Sequence, residues 1–309
     1  MVDAHDSKSC GVIHESSILS PGTMKKVLVI VGPTASGKSD LAVRLAKKFG
    51  GEIISADSRQ VYKGLNIGTG KIMKKEMGSV PHHLLDVANP RRQFSVSDYK
   101  KLAEKKLAKI DYPIVVGGTG FYIDTLAGKF TLPEVPPNKA LRKRLEKLSA
   151  EKLFAMLKKK DAKRAETIDR HNKVRLVRAL EIVNALGKVP PQATSSKLQA
   201  KFVYIGLKPK NLDKRIYQRL LKRIPGILRE TKKLSPKRAY ELGLEYRFAS
   251  LYLQKKLSKE EFIEKLYTAI RQYARRQMTW FKRNKSIKWF RSDEFRKVEK
   301  YAKVALKGD

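Results

Sequence analysis

The chain has 309 residues, enough for a large core and more than one lobe, and its 41% apolar content fits a globular protein. Its 68 Lys and Arg stand against 30 Asp and Glu, a net charge of +38 that points to a polyanionic partner, nucleic acid first. A single cysteine, Cys10, excludes a disulfide framework and a cysteine-based zinc site, and no apolar run approaches the roughly 20 residues of a membrane span.

Residues 1–23 are polar and aperiodic and lack the apolar stretch of a signal peptide, so a disordered tail is expected, with Met24 a candidate start. Residues 24–132 read as the first part of an α/β core. The apolar run 27–31 is a strand, a helical pattern covers 40–49, and between them stands Gly32-Pro33-Thr34-Ala35-Ser36-Gly37-Lys38-Ser39, spelled G-x-x-x-x-G-K-S. Backbone N–H groups of such a loop, at a helix N-terminus, cradle a phosphate. Lys38 adds a point charge there, and the Ser39 hydroxyl is placed to ligate Mg²⁺. ATP is the commonest ligand of such loops, but these residues alone leave the ligand open.

The strand 52–56 sets Asp57-Ser58-Arg59-Gln60 at its C-terminal end, the edge where open α/β sheets bind ligands. Residues 61–96 look loop-rich and hold a glycine turn, Asn66-Ile67-Gly68-Thr69-Gly70-Lys71. After His82 and His83, the run 84–87 predicts a strand, and adjacent histidines on opposite strand faces argue against a shared metal. Ser97 is expected to cap a helix running to about 109, with Leu102, Ala103 and Leu107 inward. The strand 114–116 runs into Gly117-Gly118-Thr119-Gly120, where many P-loop ATPases carry an acid, which argues against plain ATP hydrolysis.

Prolines at 133, 136 and 137 break the pattern. Residues 138–186 then read as helical, with Leu141, Leu145, Leu148, Leu153, Met156 and Leu157 at 3–4 spacing, so an all-helical insertion is predicted over 133–200, closing at Gly187 and Pro190-Pro191. Arg175 and Arg178 lie one turn apart within it. The run 202–207 returns a strand to the sheet, and the rest of 201–309 reads as helical and basic, with Pro225 expected to kink or end a helix. A stretch around Arg271, Tyr273, Arg275, Gln277, Trp280 and Phe281 mixes Arg with aromatics, which suits phosphate contacts and stacking on RNA bases. The predicted class is α/β: a P-loop NTPase-like parallel sheet flanked by helices, with an all-helical insertion.

Taken together, the phosphate loop, Asp57-Ser58-Arg59-Gln60-Val61-Tyr62, Ile67-Gly68-Thr69, Pro81-His82-His83-Leu84-Leu85-Asp86, Gly117-Gly118-Thr119-Gly120-Phe121-Tyr122, Arg175-Leu176-Val177-Arg178-Ala179-Leu180-Glu181 and the 273–281 stretch resemble, in order, the tRNA isopentenyltransferase (tRNA dimethylallyltransferase) family. The resemblance spans about 27–289. It implies transfer of a dimethylallyl group from dimethylallyl diphosphate to N6 of adenosine 37, next to the anticodon of tRNA, with release of diphosphate. It implies Asp57 as the acceptor of the amine proton, Thr119 on the bridging oxygen of the diphosphate, Lys38 with the loop 32–39 on the leaving group, and Ser39 on Mg²⁺. Asp57, Ser58, Arg59, Gln60, Thr69, Lys71 and Thr119 would contact the adenosine. Val174, Arg175, Leu176, Val177 and Arg178 would touch the anticodon stem-loop, and Arg271, Arg275 and Gln277 would line the reaction channel.

The chain departs from the family at 66–72 and 241–246, and around 224–226, which leaves open a further diphosphate-binding arginine such as Arg238. No cysteine follows Cys10, so the zinc finger of eukaryotic members is absent. The expectation is a cytoplasmic monomer. The rival readings are an adenylate isopentenyltransferase acting on free AMP, ADP or ATP, a small-molecule P-loop kinase and a nonenzymatic RNA-binding protein.

Overall fold

The computed structural model describes residues 24–190 and 200–307. The expected tail 1–23 and the end of the insertion at Pro191 lie outside the described residues. A parallel sheet of six strands forms the centre, in the order β3 (His82–His83), β2 (Glu52–Ser55), β4 (Pro113–Gly117), β1 (Lys25–Val31), β5 (Ala200–Lys208) and β6 (Lys288–Arg291). Strand β1 is the middle of this order and its residues Val27 to Val31 are wholly buried, as a two-sided parallel strand requires.

Each face of the sheet has its own apolar layer. On one face, α1 (Lys38–Phe49) and α13 (Phe295–Lys307) pack over Leu28, Ile30, Ile53 and Ile205. The other is covered by α3 (Val96–Leu107), α4 (Gly120–Leu126) and Phe281 at the end of α12 (Lys259–Phe281), over Val29, Val31, Val115 and Tyr204. The insertion is α5 (Lys139–Leu145), α6 (Ala150–Lys160), α7 (Ala162–Thr167) and α8 (Lys173–Leu186), with a separate core that includes Leu145, Leu153, Leu157 and Leu176. Its base is tied by an ionic clasp: the buried Glu181 takes Arg142 Nε and Nη2 at 2.7 Å each and Arg178 Nη1 at 3.2 Å. A further helical layer packs α9 (Leu212–Thr231) and α12 around Ile216, Leu220, Phe262 and Leu266, beside α10 (Pro236–Leu242) and α11 (Leu244–Leu253).

Five local expectations differ from the structure. The strand near residue 84 is His82–His83 itself. Leu84 and Asp86 turn away with φ of 63° and 55°, because the Asp86 carboxylate is held by Lys71 at 2.6 Å. Helix α3 starts two residues earlier than expected, at Val96, with Ser95 in place of Ser97 as the cap and Ser95 and Asp98 forming a reciprocal capping box, and Tyr99, Ala103 and Leu107 point inward while Leu102 is exposed. Met156 in the insertion is also exposed. Helix α9 runs through Pro225, since its neighbours Arg223 and Glu230 clamp the 66–68 turn from either side of the proline. The C-terminal part is not wholly helical: β6 adds an edge strand beside β5. No described helix is long and apolar enough to cross a membrane.

Candidate active site

The phosphate loop leaves β1 at its buried C-terminal end and closes on Gly37, the N-cap of α1, whose φ of 87° lies in the left-handed region that L side chains avoid. The N–H of Ser36 reaches Pro33 O at 3.2 Å, and that of Leu41 reaches Gly37 O at 3.1 Å, which sets the remaining loop N–H groups around one concavity. The Ser36 hydroxyl is fully buried in the loop with no partner. Lys38 Nζ donates to Pro33 O at 3.1 Å. Burial pulls the Lys38 ammonium down to about 8, with Asp57 opposing and Arg219 adding to the fall.

Facing the loop is the turn after β2. Asp57 Oδ1 accepts the N–H groups of Arg59 at 2.9 Å and Gln60 at 3.4 Å, an arrangement that orients the carboxylate into the pocket. Thr119, at the N-cap position of α4, accepts the Ser58 N–H at 3.0 Å, and its own hydroxyl meets Ser58 Oγ at 3.4 Å, with Tyr273 alongside. The two strand-end turns are therefore laced together at Ser58 and Thr119, with Thr119 half-buried behind the wall made by Ser58.

Gln277 joins these turns to α12. Its Oε1 accepts the Thr34 N–H at 2.8 Å and its Nε2 donates to Gly118 O at 2.9 Å. A Cβ on Gly118 would stand 2.1 Å from that Nε2, so a side chain there would push the amide off its two hydrogen bonds.

The third wall comes from α9. Arg215, Arg219 and Arg223 lie at four-residue spacing and all line the same pocket. Arg215 Nε donates to Ala35 O at 2.9 Å. Arg223 Nε donates to Ile67 O at 2.6 Å, and its Nη2 donates to Gly68 O and approaches Glu245 at 3.5 Å. Burial and the adjacent Arg223 hold the Arg219 guanidinium below its ordinary range, and no described acid pairs with it. Glu230 accepts the N–H groups of Asn66, Ile67 and Gly68 at 2.8, 2.6 and 2.8 Å and the Tyr246 hydroxyl at 2.9 Å. Burial raises the Glu245 carboxyl, against the pull of Arg223. The walls enclose about 680 Å³, room for a diphosphate and a planar base together.

The sequence-predicted residues divide into two groups. All of Thr34 to Ser39, together with Asp57, Ser58, Arg59, Gln60, Thr69, Lys71 and Gln277, border the pocket. Within that group Thr69 and Lys71 are held internally. Thr69 Oγ1 donates to Leu65 O at 2.7 Å, and the buried Lys71 ammonium donates to Tyr62 O, Asn66 Oδ1 and Asp86 Oδ1 at 2.8, 2.8 and 2.6 Å, so its charge belongs to the turn. A second group lies elsewhere. Arg271 is paired with Asp213 at 2.8 Å, and Arg275 is exposed on another face of α12. Arg238 is fixed to Pro90 O, Arg92 O and Glu241, away from the pocket. In the insertion, Leu176 and Val177 are core side chains, and Arg178 holds Val135 O at 2.8 Å besides Glu181. Val174 and Arg175 stand at the start of α8, with Val174 80% exposed.

Four further pocket residues, Arg215, Arg219, Arg223 and Arg276, are not among the predicted ones, and Tyr273, read only as part of the Arg–aromatic stretch, joins them. Helical periodicity counted back from Gln277 reaches Tyr273 and Ile270, not Arg271 and Arg275, and an Arg-x-x-x-Arg-x-x-x-Arg stripe marks α9 in the sequence.

A phosphate loop on a parallel sheet, an oriented carboxylate across one cavity and an arginine wall define an enzyme of phosphorylated substrates with a nucleophile or proton-transfer partner beside the phosphate. A family profile described as IPP transferase matches residues 60–284, and one described as Isopentenyl transferase matches 25–92. The tRNA dimethylallyltransferase 2 of Treponema denticola is 43% identical over 272 residues, covering 83% of this chain and 91% of that protein. The solved tRNA isopentenylpyrophosphate transferase of Bacillus halodurans superposes with a TM-score of 0.67 at 34% identity, over 91% of this chain and 97% of that one. A eukaryotic dimethylallyltransferase solved while acting on tRNA superposes with a TM-score of 0.76 at 27% identity, over 91% of this chain and 78% of that one. The chain belongs to the IPP transferase family.

Proposed function

We propose that this protein transfers a dimethylallyl group from dimethylallyl diphosphate to N6 of adenosine 37 in the anticodon loop of tRNA. The observation that carries the reading is the position of the Asp57 carboxylate across a single cavity from the phosphate loop and the α9 arginines. The loop N–H groups, Lys38 and Arg219 hold the diphosphate. The unpartnered Ser36 hydroxyl supplies one more donor to a phosphate oxygen. The adenine amine attacks C1 of the donor, the N6–C1 bond forms, the C1–O bond breaks with its electron pair leaving on diphosphate, and the N6 proton passes to Asp57. Thr119 holds its Ser58 contact at only 3.4 Å, so its proton turns readily toward the bridging oxygen of the leaving group. Ser39 lines the same cavity and is the residue that would hold Mg²⁺ beside the diphosphate. When bound, the ion would neutralise charge on the diphosphate. The +38 charge supplies the long-range attraction for RNA, and the base swings out of a loop in which pairing is already absent.

The test is direct. Purified protein, Mg²⁺ and dimethylallyl diphosphate are incubated with an anticodon stem-loop carrying adenosine 37, and the RNA is weighed by mass spectrometry for the prenyl increment. A stem-loop that gains the increment, lost when that adenosine is replaced by guanosine, supports the reading. Unmodified RNA, alongside phosphoryl transfer from ATP to a small alcohol, would falsify it.

A further inference from the structure

A second cavity, of about 230 Å³, opens on the α3–α4 face of the sheet, at the root of the insertion. It lies one helical turn beyond the reaction pocket along α12. Gln277 on α12 lines the reaction pocket and Trp280 lines the cavity, which Asp124 of α4 also borders. Its walls are aromatic. The indole of Trp280 is fixed by donation from Nε1 to Asp124 Oδ2 at 2.7 Å, and Phe130 stands edge-on to it with ring centroids 6.3 Å apart. Two polar groups inside have no partner: the hydroxyl of Tyr204, a residue only 5% exposed, and the Asn284 Nδ2 amide, whose Oδ1 is already taken by the Ser286 N–H at 3.0 Å. Lys129, on the linker into the insertion, stands 5.0 Å from the Tyr204 ring and is paired with Asp124 Oδ1 at 3.2 Å, an exposed-side ion pair that a phosphate would have to share.

A slot with flat apolar walls, a hydroxyl and an amide N–H₂ unpaired at its floor and a cation beside it fits one ligand chemistry. We propose that this cavity is a second nucleobase site, taking a base that stacks beside Trp280 and accepts hydrogen bonds from Tyr204 and Asn284, with Lys129 on its phosphate. An aliphatic ligand leaves both polar groups unpaired, and a bare phosphate leaves the aromatic walls unused. The base comes from the RNA that the reaction pocket engages, a nucleotide near the modified one, and in this the proposal rests on the function proposed above. A free mononucleotide carries the same chemistry, and the experiment separates the two sources.

Trp280 is one of two tryptophans, so Trp289→Phe leaves it as the sole reporter. Its fluorescence is titrated with UMP, with AMP and with the anticodon stem-loop, in the wild type, in Trp289→Phe and in Trp289→Phe carrying Tyr204→Phe. Tyr204→Phe removes only an unpartnered hydroxyl, so the fold is kept, and equal or higher thermal stability verifies this. Quenching by the stem-loop alone, with its dissociation constant weakened about threefold to tenfold by Tyr204→Phe, supports the site with an RNA nucleotide as ligand. Quenching by a mononucleotide, weakened in the same way, supports it with a free nucleotide. No quenching by any probe, or quenching that Tyr204→Phe leaves unchanged, overturns it and leaves the cavity to water. Affinity for inorganic diphosphate, bound at the phosphate loop, is the internal control. A stem-loop that is bound and quenches but gains no prenyl mass would count against the proposed reaction and not against this site.

Discussion

The two long walls of the reaction pocket are built in opposite ways. The phosphate-loop wall is one contiguous segment: a buried strand, eight residues of loop and a helix N-terminus, whose path follows from local φ/ψ and adjacent hydrogen bonds and is braced from afar at Thr34 and Ala35. The α9 wall is a helix whose spacing aligns three arginines, but its side chains are positioned by distant backbone. Its arginines and Glu230 acquire their geometry by capturing the backbone of residues 35 and 66–68, more than 150 positions earlier in the chain. The first wall supplies the general phosphate chemistry shared by many P-loop proteins. The second shapes the turn that adjoins Asp57 and closes the pocket, and in the proposed function it is this wall that makes the reaction particular.

That division is tested first at the proposed chemical step. Asp57→Ala should lower turnover by about 10²–10⁴-fold with RNA affinity largely kept, measured by single-turnover prenylation and filter binding. Normal turnover at saturation with lost RNA binding would remove Asp57 from the chemistry. Next in size is Arg219→Gln on the α9 wall. Loss of its charge-assisted contact should weaken diphosphate binding by about 10- to 100-fold in calorimetry, and an unchanged affinity would leave the phosphate to the loop wall alone.

A smaller effect concerns Lys38 and pH. A diphosphate favours the charged ammonium, and burial has lowered that group to about 8, so binding takes up a proton above this pH. Affinity for diphosphate should therefore fall as pH rises past about 8, by up to about tenfold per unit, relative to Lys38→Arg, which stays charged throughout. Parallel pH profiles for the two proteins would contradict the shift. The smallest effect lies farthest from the pocket. Arg175→Gln at the start of α8 should weaken RNA binding about twofold to fivefold and reduce the salt slope by about 1, while Arg178→Gln should act instead through the stability of the insertion by opening the Glu181 clasp.

How legible these features are in the sequence follows the same divide. The loop 32–39, the strands at 27–31 and 114–116 and the helical insertion can be read directly, because each depends on periodicity and near neighbours. The strand near 84 was misplaced because Leu84-Leu85 looks like a buried pair, whereas the Lys71–Asp86 ion pair, an interaction across 15 positions, bends the backbone there. Lys71 looks like an RNA contact in the sequence, and its three internal acceptors become apparent only once the turn is folded. Arg238 and Arg223 are indistinguishable as letters, and only the packing of α9 against the 66–68 turn brings Arg223 to the site. Gln277 was legible as a site residue, but its role in bracing Thr34 and Gly118 was not.

That brace has a consequence for the making of the protein. The phosphate loop emerges from the ribosome early, yet one of its N–H groups waits for an acceptor 243 residues downstream. At roughly 5–20 residues per second the interval is roughly 12–50 s. Through most of synthesis the nascent chain therefore carries a phosphate loop without its Gln277 support, and donor binding at full strength begins only when α12 has folded against the completed sheet.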